Sequence, residues 1–344
     1  AYEWQLLQTL EGDGVSAHVV EMTSQSWLLA EVVERTVWKH WLTIFQPSEV
    51  RSDHAFLYIT GGDNDDPAPS EIDPRFAAMA SATGSVVGEL RMVPNQPLTF
   101  VGDDKDARWE DSLIAYGWDK YLRGGREEWL ARLPMTKSVV RAMDTVTDLM
   151  VSEAGGGLVV DKFVVAGGSK RGWTTWTTAA VDPRVVAIVP IVIDLLNVEE
   201  SFVHHWQAYG FWAPAVGDYV ETGIMEWMGS ERYQQLNELV EPFEYRDRLT
   251  MPKLLVNAAG DQFFLPDSSQ FYFDELLGEK HLRYVPNTGH SLSGTDAFET
   301  VLAFYAAVVD GEERPSYEWS RSGEYGLEVR VDAEAPPSQV LLWQ

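Results

Sequence analysis

Cysteine is absent from the 344-residue chain. That removes disulfides, thiolate metal sites and a thiol nucleophile, and leaves hydroxyl, carboxylate and imidazole groups to carry any chemistry. Basic residues are scarce, with 26 lysines and arginines against 53 aspartates and glutamates, for a formal net charge of −27. Such a chain lacks the basic patch that phosphate binding needs, which argues against nucleic acid and anionic membrane as partners. No apolar run approaches the roughly 20 residues that span a bilayer; the nearest is Val185 to Val192. Internal repeats and low-complexity tracts are lacking as well. What is abundant is core-forming material, 45% hydrophobic with 12% aromatic, which excludes disorder for most of the chain.

The most informative stretch is Phe163-Val-Val-Ala-Gly-Gly-Ser169-Lys-Arg-Gly-Trp173. A short apolar run ends in glycines, a serine follows at once, and a helix-compatible segment, Thr174 to Val181, leads away. This is the layout of a nucleophile elbow, in which a cramped strand-to-helix turn forces the serine hydroxyl out above the sheet edge. The usual spacing is G-x-S-x-G. Here Arg171 stands at the second position after the serine and the glycine comes one place later, at Gly172.

A serine between glycines is more often a plain turn, so its companions decide. Lys253 to Asp261 is a buried-strand run ending in Gly-Asp. His281 to His290 is a second run, ending in Gly-His. Upstream, Phe56-Leu-Tyr-Ile-Thr-Gly-Gly62-Asp63 ends a third strand in paired glycines. Serine, acid and histidine then follow in the order of a Ser-Asp-His triad, with an oxyanion loop ahead of them. Ser169 is the candidate nucleophile, His290 its base and Asp261 the acid that orients the imidazole. Asp194, which also ends a strand run, and Asp267 remain alternatives for the acid. The oxyanion donors are expected to be the amide of Lys170 and one from the loop at Gly62 and Asp63.

Elsewhere, strands are expected at Ser16–Thr23, Thr36–Phe45, Phe56–Thr60, Ser85–Val93 and Val185–Asp194. Helices are expected at Pro74–Thr83, Glu110–Leu122 and Lys137–Val151. Strands alternating with helices indicate an α/β protein with a mainly parallel sheet covered on both faces. Between Leu195 and Thr250 the strand rhythm fails and aromatics crowd in. This segment, about residues 195–250, reads as a cap or lid over the carboxyl edge of the sheet. Asp194, His205, Trp206 and Trp212 are candidate pocket residues there. A metal at His204-His205 is disfavoured, because adjacent helical residues diverge and no third ligand is spaced to join them; no metal or cofactor is expected. Trp173 and Trp176 share a helix face and suit core packing. Residues 1–312 form the main domain and 313–344 a linker with a strand segment, ending in the apolar run Val340–Gln344.

The chain resembles the PhoPQ-activated pathogenicity-related protein family. The resemblance rests on Ser24-Gln-Ser-Trp27, Trp38-Lys-His-Trp41, Val93 to Phe100, Leu133-Pro-Met135, Arg141 to Thr145, Gly168 to Trp176, Asn257 to Ser269 and Tyr284 to Asn287. It implies an α/β-hydrolase fold, export from the cytoplasm to a secreted or periplasmic location, and a triad at Ser169, Asp261 and His290. It also implies that Lys170-Arg171-Gly172 is the family's own elbow and that residues 316–344 begin a small β-rich module. The expected activity is cofactor-free cleavage of an ester or amide in a small-molecule or peptide substrate through an acyl-enzyme, with carboxylesters favoured. Alternatives are a dipeptidyl-peptidase-like activity, separable by an acidic pair such as Glu199-Glu200 that would capture an amine, and a secreted signalling or binding protein with a vestigial triad.

Overall fold

The computed structural model describes residues 1–323, 326–331 and 336–341. Nine strands form one sheet: β1 (Glu3–Glu11), β2 (Val15–Ser26), β3 (Val37–Pro47), β4 (His54–Ile59), β5 (Val86–Leu90), β6 (Lys162–Gly168), β7 (Val185–Ile191), β8 (Lys253–Ala258) and β9 (Lys280–Val285). Their spatial order is β1-β2-β3-β5-β4-β6-β7-β8-β9. The first three strands run antiparallel, and from β5 through β9 every pairing is parallel. The parallel half therefore presents all its strand ends at one edge.

Helices cover both faces, giving two cores separated by the sheet. On one side α1 (Pro74–Thr83) and α8 (Ala297–Val309) pack Phe76, Met79, Val301 and Tyr305 against Phe56, Val164 and Ala166. On the other, α2 (Glu110–Leu122), α3 (Arg132–Val151) and α4 (Lys170–Val181) bury Leu113, Met143, Trp173 and Trp176 against Leu57, Phe163 and Val165. Alternate residues of β6 thus enter opposite cores, which is why that strand is a continuous apolar run instead of an alternating one. Trp173 and Trp176 are core residues, at most 1% exposed. The boundaries of α1 follow from its caps: Asp73 accepts the Arg75 amide at 2.8 Å, Pro74 opens the first turn, and Gly84 closes the helix in the left-handed region.

Between β7 and β8, residues 192–252 make a long helical crossover carrying α5 (Val198–Tyr209), α6 (Gly217–Glu221) and α7 (Glu231–Val240). Three expected boundaries move. The strand expected over Ser85–Val93 spans only Val86–Leu90, after which Met92, at φ 66°, turns the chain out of the strand. The run expected over Val185–Asp194 stops pairing as a strand at Ile191. Helix α3 begins five residues before the expected Lys137, because Pro134 lies in its first turn, where no intrahelical N–H is needed. After α8, β10 (Tyr317–Ser322) and β11 (Gly326–Val331) form a separate antiparallel hairpin. The terminal run expected from Val340 lies partly outside the described residues. Among the described residues no helix is long and apolar enough to cross a membrane.

Candidate active site

Ser169 sits at the junction of β6 and α4 with φ 56° and ψ −123°. A residue bearing a side chain holds such a conformation at a cost on the order of 1–3 kcal/mol, so the surroundings must enforce it. They do so through the backbone: the Ser169 amide donates to Ile191 O on β7 at 2.8 Å, and Ser169 O accepts from Trp173 in the first turn of α4 at 3.0 Å. Two glycines let the helix come this close. A methyl group on Gly167 would lie 2.7 Å from Arg171 O and 2.9 Å from Arg171 Cβ. One on Gly172 would meet Ile193 at 2.8 Å and Gly167 O at 2.9 Å. The departure from G-x-S-x-G therefore has a steric explanation. Gly167 alone relieves its contact with position 171, and the second glycine is needed at 172, where α4 faces β7.

Asp261 follows β8 and His290 follows β9, so both stand at the same sheet edge as Ser169. His290 Nδ1 lies 2.8 Å from Asp261 Oδ2. An ionised carboxylate only accepts, so Nδ1 carries the proton and Nε2 presents its lone pair. The other Asp261 oxygen accepts the amides of Phe263 at 2.8 Å and Phe264 at 3.4 Å, a turn that fixes the carboxylate. The carboxylate side chain is 4% exposed and the imidazole 15%. Gln262 Oε1 accepts the His290 amide at 3.1 Å, tying the two loops together, and the Phe263 ring lies 4.4 Å from the imidazole. Among the described residues no hydrogen bond joins Ser169 Oγ to His290.

The oxyanion loop departs from expectation at one residue. The Asp63 amide donates to Asp66 Oδ2 at 2.8 Å, because the Asp63–Asp66 turn folds the carboxylate back onto it. Asp63 is therefore not a free donor. Among the described residues the amides of Gly62 and Lys170 have no acceptor. Gly62 has φ 140°, and a methyl there would lie 2.9 Å from Asp66 Oδ2.

Two cations flank the serine, and both are paired. Lys170 is 7% exposed, with Nζ 2.8 Å from Glu110 Oε2 and 2.9 Å from Asp111 Oδ2. Arg171 directs its fork at both Glu110 oxygens and its Nε at Val93 O (2.6 Å), so it does not point into the helix–sheet contact. Burial acts to raise the Glu110 pKa, but the Arg171 hydrogen bond and the two positive charges outweigh it and bring the carboxyl down to about 2. Beneath them, Arg132 donates to Lys170 O at 3.0 Å and stacks 4.3 Å from the Trp173 ring. Glu110, Gln96 and Gln262 escaped the sequence reading. Only the charge of Glu110-Asp111, complementary to Lys170-Arg171, hinted at the first of these.

The remaining expected pocket residues divide. Asp194 is 3% exposed and accepts the hydroxyls of Tyr272 and Tyr284, so both its oxygens are engaged away from His290. Burial raises its pKa to about 7, against the lowering effect of those two hydrogen bonds. His205 is also buried, and its Nε2 accepts the Ala213 amide at 3.0 Å within the crossover. Burial lowers its pKa, and it serves the packing of α5 in place of a pocket wall. Trp206 remains 47% exposed, its ring 5.1 Å from that of the half-buried Trp212. His204, facing away from His205, pairs with Asp267 at 2.9 Å. Asp267 is thereby engaged by a histidine other than His290. A cavity of about 1150 Å³ opens elsewhere, between β9, the 266–274 turns and the C-terminal hairpin; Asp267, Lys280 and Trp319 line it, and Ser169, Asp261 and His290 do not.

A parallel sheet with an antiparallel start, a serine elbow after its central strand, and an aspartate–histidine pair beyond the last two strands define an α/β-hydrolase fold. The chain belongs to the PhoPQ-activated pathogenicity-related protein family, whose model matches residues 1–344. It is 41% identical over 324 residues to autocrine proliferation repressor protein A of Dictyostelium discoideum, covering 92% of this chain and 65% of that protein. The chain thus spans less than two thirds of that relative's length. Two solved structures share the fold at low identity. The acetyl xylan esterase from Paenibacillus sp. R4 has a TM-score of 0.55 at 16% identity, with 90% of this chain and 88% of that one covered. Acetyl xylan esterase 1 from Thermoanaerobacterium sp. JW/SL YS485 has 0.54 at 14%, with 90% and 87% covered.

Proposed function

We propose that the protein is a serine hydrolase that cleaves a carboxylic ester through an acyl-enzyme. The observation that carries this reading is the Asp261–His290 hydrogen bond at the edge where the strained turn raises Ser169. His290 Nε2 takes the Ser169 proton as Oγ attacks the carbonyl carbon. The oxyanion forms against the Lys170 and Gly62 amides. Collapse breaks the ester bond, and the alcohol leaves with the proton from His290. Water, deprotonated by the same imidazole, then releases the acid. Asp261 holds the Nδ1–H tautomer throughout and stabilises the imidazolium.

Esters are favoured over dipeptide amides because Glu199 and Glu200 occupy the first turn of α5, where acidic side chains complement the helix dipole. An amine-capturing role is not needed to explain them. The helical crossover acts as the lid, with Trp206 and Trp212 as its pocket-facing pair, and the protein works outside the cytoplasm, as the family resemblance implies. One observation favours a second reading: the 41% identical relative is named for repressing proliferation, which suits a signalling protein that does not use its triad.

A fluorophosphonate probe separates the two. Wild type is expected to be labelled and Ser169→Ala not, and folded wild type that resists labelling would overturn the enzymatic reading. Short acyl esters are expected to be cleaved faster than dipeptide anilides; a preference for anilides by orders of magnitude reverses the substrate choice.

A further inference from the structure

Arg171 stands where a nucleophile elbow ordinarily has glycine, and its three donor nitrogens are all engaged within the protein. Nε bonds Val93 O at 2.6 Å, while Nη1 and Nη2 bond the two oxygens of Glu110. Each nitrogen thus makes one bond inside the protein, using three of the five N–H donors of the guanidinium. The guanidinium also lies directly against the oxyanion loop, since a methyl group on Gly61 would fall 2.5 Å from Arg171 Nη2. Val93 and Gly61 belong to two segments stitched into a short ladder. Met92 donates to Gly61 O at 2.8 Å and Val93 to Thr60 O at 3.1 Å. Arg171 therefore bonds one rail of this ladder and abuts the other, one residue before the Gly62 amide.

The carboxylate it grips is itself fixed. The Glu110 amide donates to Gln96 Oε1 at 2.8 Å, Gln96 Nε2 donates back to Glu110 Oε1, and Lys170 Nζ completes the set. Glu110 holds a left-handed backbone, φ 47°, a conformation that a side-chain-bearing residue keeps only where its surroundings demand it. The Lys170 amide is on the residue before Arg171 and the Gly62 amide on the residue after Gly61. One rigid planar fork thus spans the two backbone segments that carry the free amides. A lysine could not do this, having a single point of contact where the site uses three in one plane.

We propose that Arg171, braced by Glu110, is a positioning residue for the oxyanion site. It sets the spacing between the Gly62 and Lys170 amides. The proposal rests on the serine hydrolase reading. It assigns Arg171 no contact with the reacting atoms.

The test compares wild type, Arg171→Lys, Glu110→Gln and the remote control Arg184→Ala, whose side chain pairs with Asp144 and Asp182. Readouts are kcat and KM on a short acyl ester, the thermal midpoint, and Ki for a trifluoromethyl ketone, whose adduct with serine places an oxyanion in the hole. Arg171→Lys is expected to lower kcat about 10- to 100-fold with KM within about threefold, and to weaken the ketone by a similar factor, on the scale of a misplaced oxyanion donor. Glu110→Gln is expected to show a smaller loss of the same pattern. Arg184→Ala is expected to lower the midpoint alone. Combined with Gly62→Ala, Arg171→Lys should cost less than the product of the single losses, because both act on one amide. Wild-type kcat and Ki in Arg171→Lys, or a kcat loss without a matching Ki loss, would overturn the proposal while leaving the hydrolase intact. Wild type lacking Ser169-dependent hydrolysis would sink both together.

Discussion

The ends of β7 and β8 offer two buried aspartates on neighbouring strands with opposite chemistry. Asp261 accepts from an imidazole and two backbone amides. Asp194 is more deeply buried and meets only two tyrosine hydroxyls, and burial pushes its pKa up to about 7. One carboxylate takes three N–H donors, from His290, Phe263 and Phe264. The other joins Tyr272, beyond Asp261, to Tyr284, six residues before His290, and so clamps the segments that carry Asp261 and His290. A carboxylate at a strand end is therefore not enough to name a triad acid; its hydrogen-bond donors decide.

The comparison can be broken most directly at Asp261. Asp261→Asn is expected to lower kcat on a short ester by about 10⁴-fold, the scale for loss of the correct imidazole tautomer. A loss under tenfold in stopped-flow or steady-state assays would remove Asp261 from the acid role. Tyr272→Phe withdraws one of the two donors to Asp194. It is expected to cost roughly 1.5–3 kcal/mol of stability in denaturant melts at pH 8, where Asp194 is mostly ionised, and less at pH 5. Its kcat should stay within several-fold of wild type.

The smallest effect on turnover belongs to Asp194→Asn, which should change kcat by less than about threefold while altering how stability depends on pH. Because the folded-state pKa of Asp194 is raised, the folded protein keeps this proton between pH about 4 and 7 while the unfolded chain has released it. Stability from this source falls as pH rises through that window, and the penalty is complete above it. The asparagine variant should lose that component of the slope. An unchanged slope between pH 4 and 7 would mean that Asp194 is already ionised there.

The sequence made the parallel half of the sheet legible because each of its strands is an apolar run closed by a turn signal. Strand β1 was harder: it is an edge strand with alternate residues half-exposed, so its apolar period is faint. Helix α3 lost its start to Pro134, which reads as a breaker yet sits in a first turn. The Asp261–His290 pair was legible because the order of strand ends encodes it. The pairing of Arg171 with Glu110 was not, since its partners lie 61 positions apart and chain proximity says nothing of them. Nor could the pattern Gly61-Gly62-Asp63 reveal that Asp66 would fold back and occupy the Asp63 amide.

The crossover between β7 and β8 has a further consequence. It lies wholly between Ser169 and Asp261 in the chain, and Ser169, Asp261 and His290 are all outside it. Its inner side is pinned to the supports of the Ser169 turn, since Tyr219 donates to Asp111 at 3.0 Å and Val240 O accepts Trp173 Nε1 at 2.7 Å, while Trp206 and Phe211 stay exposed. A chimera that transplants residues 195–250 between relatives is therefore expected to keep the Ser169 turn intact only where the Tyr219 hydroxyl and the Val240 carbonyl contact are preserved, leaving the exposed aromatics free to differ.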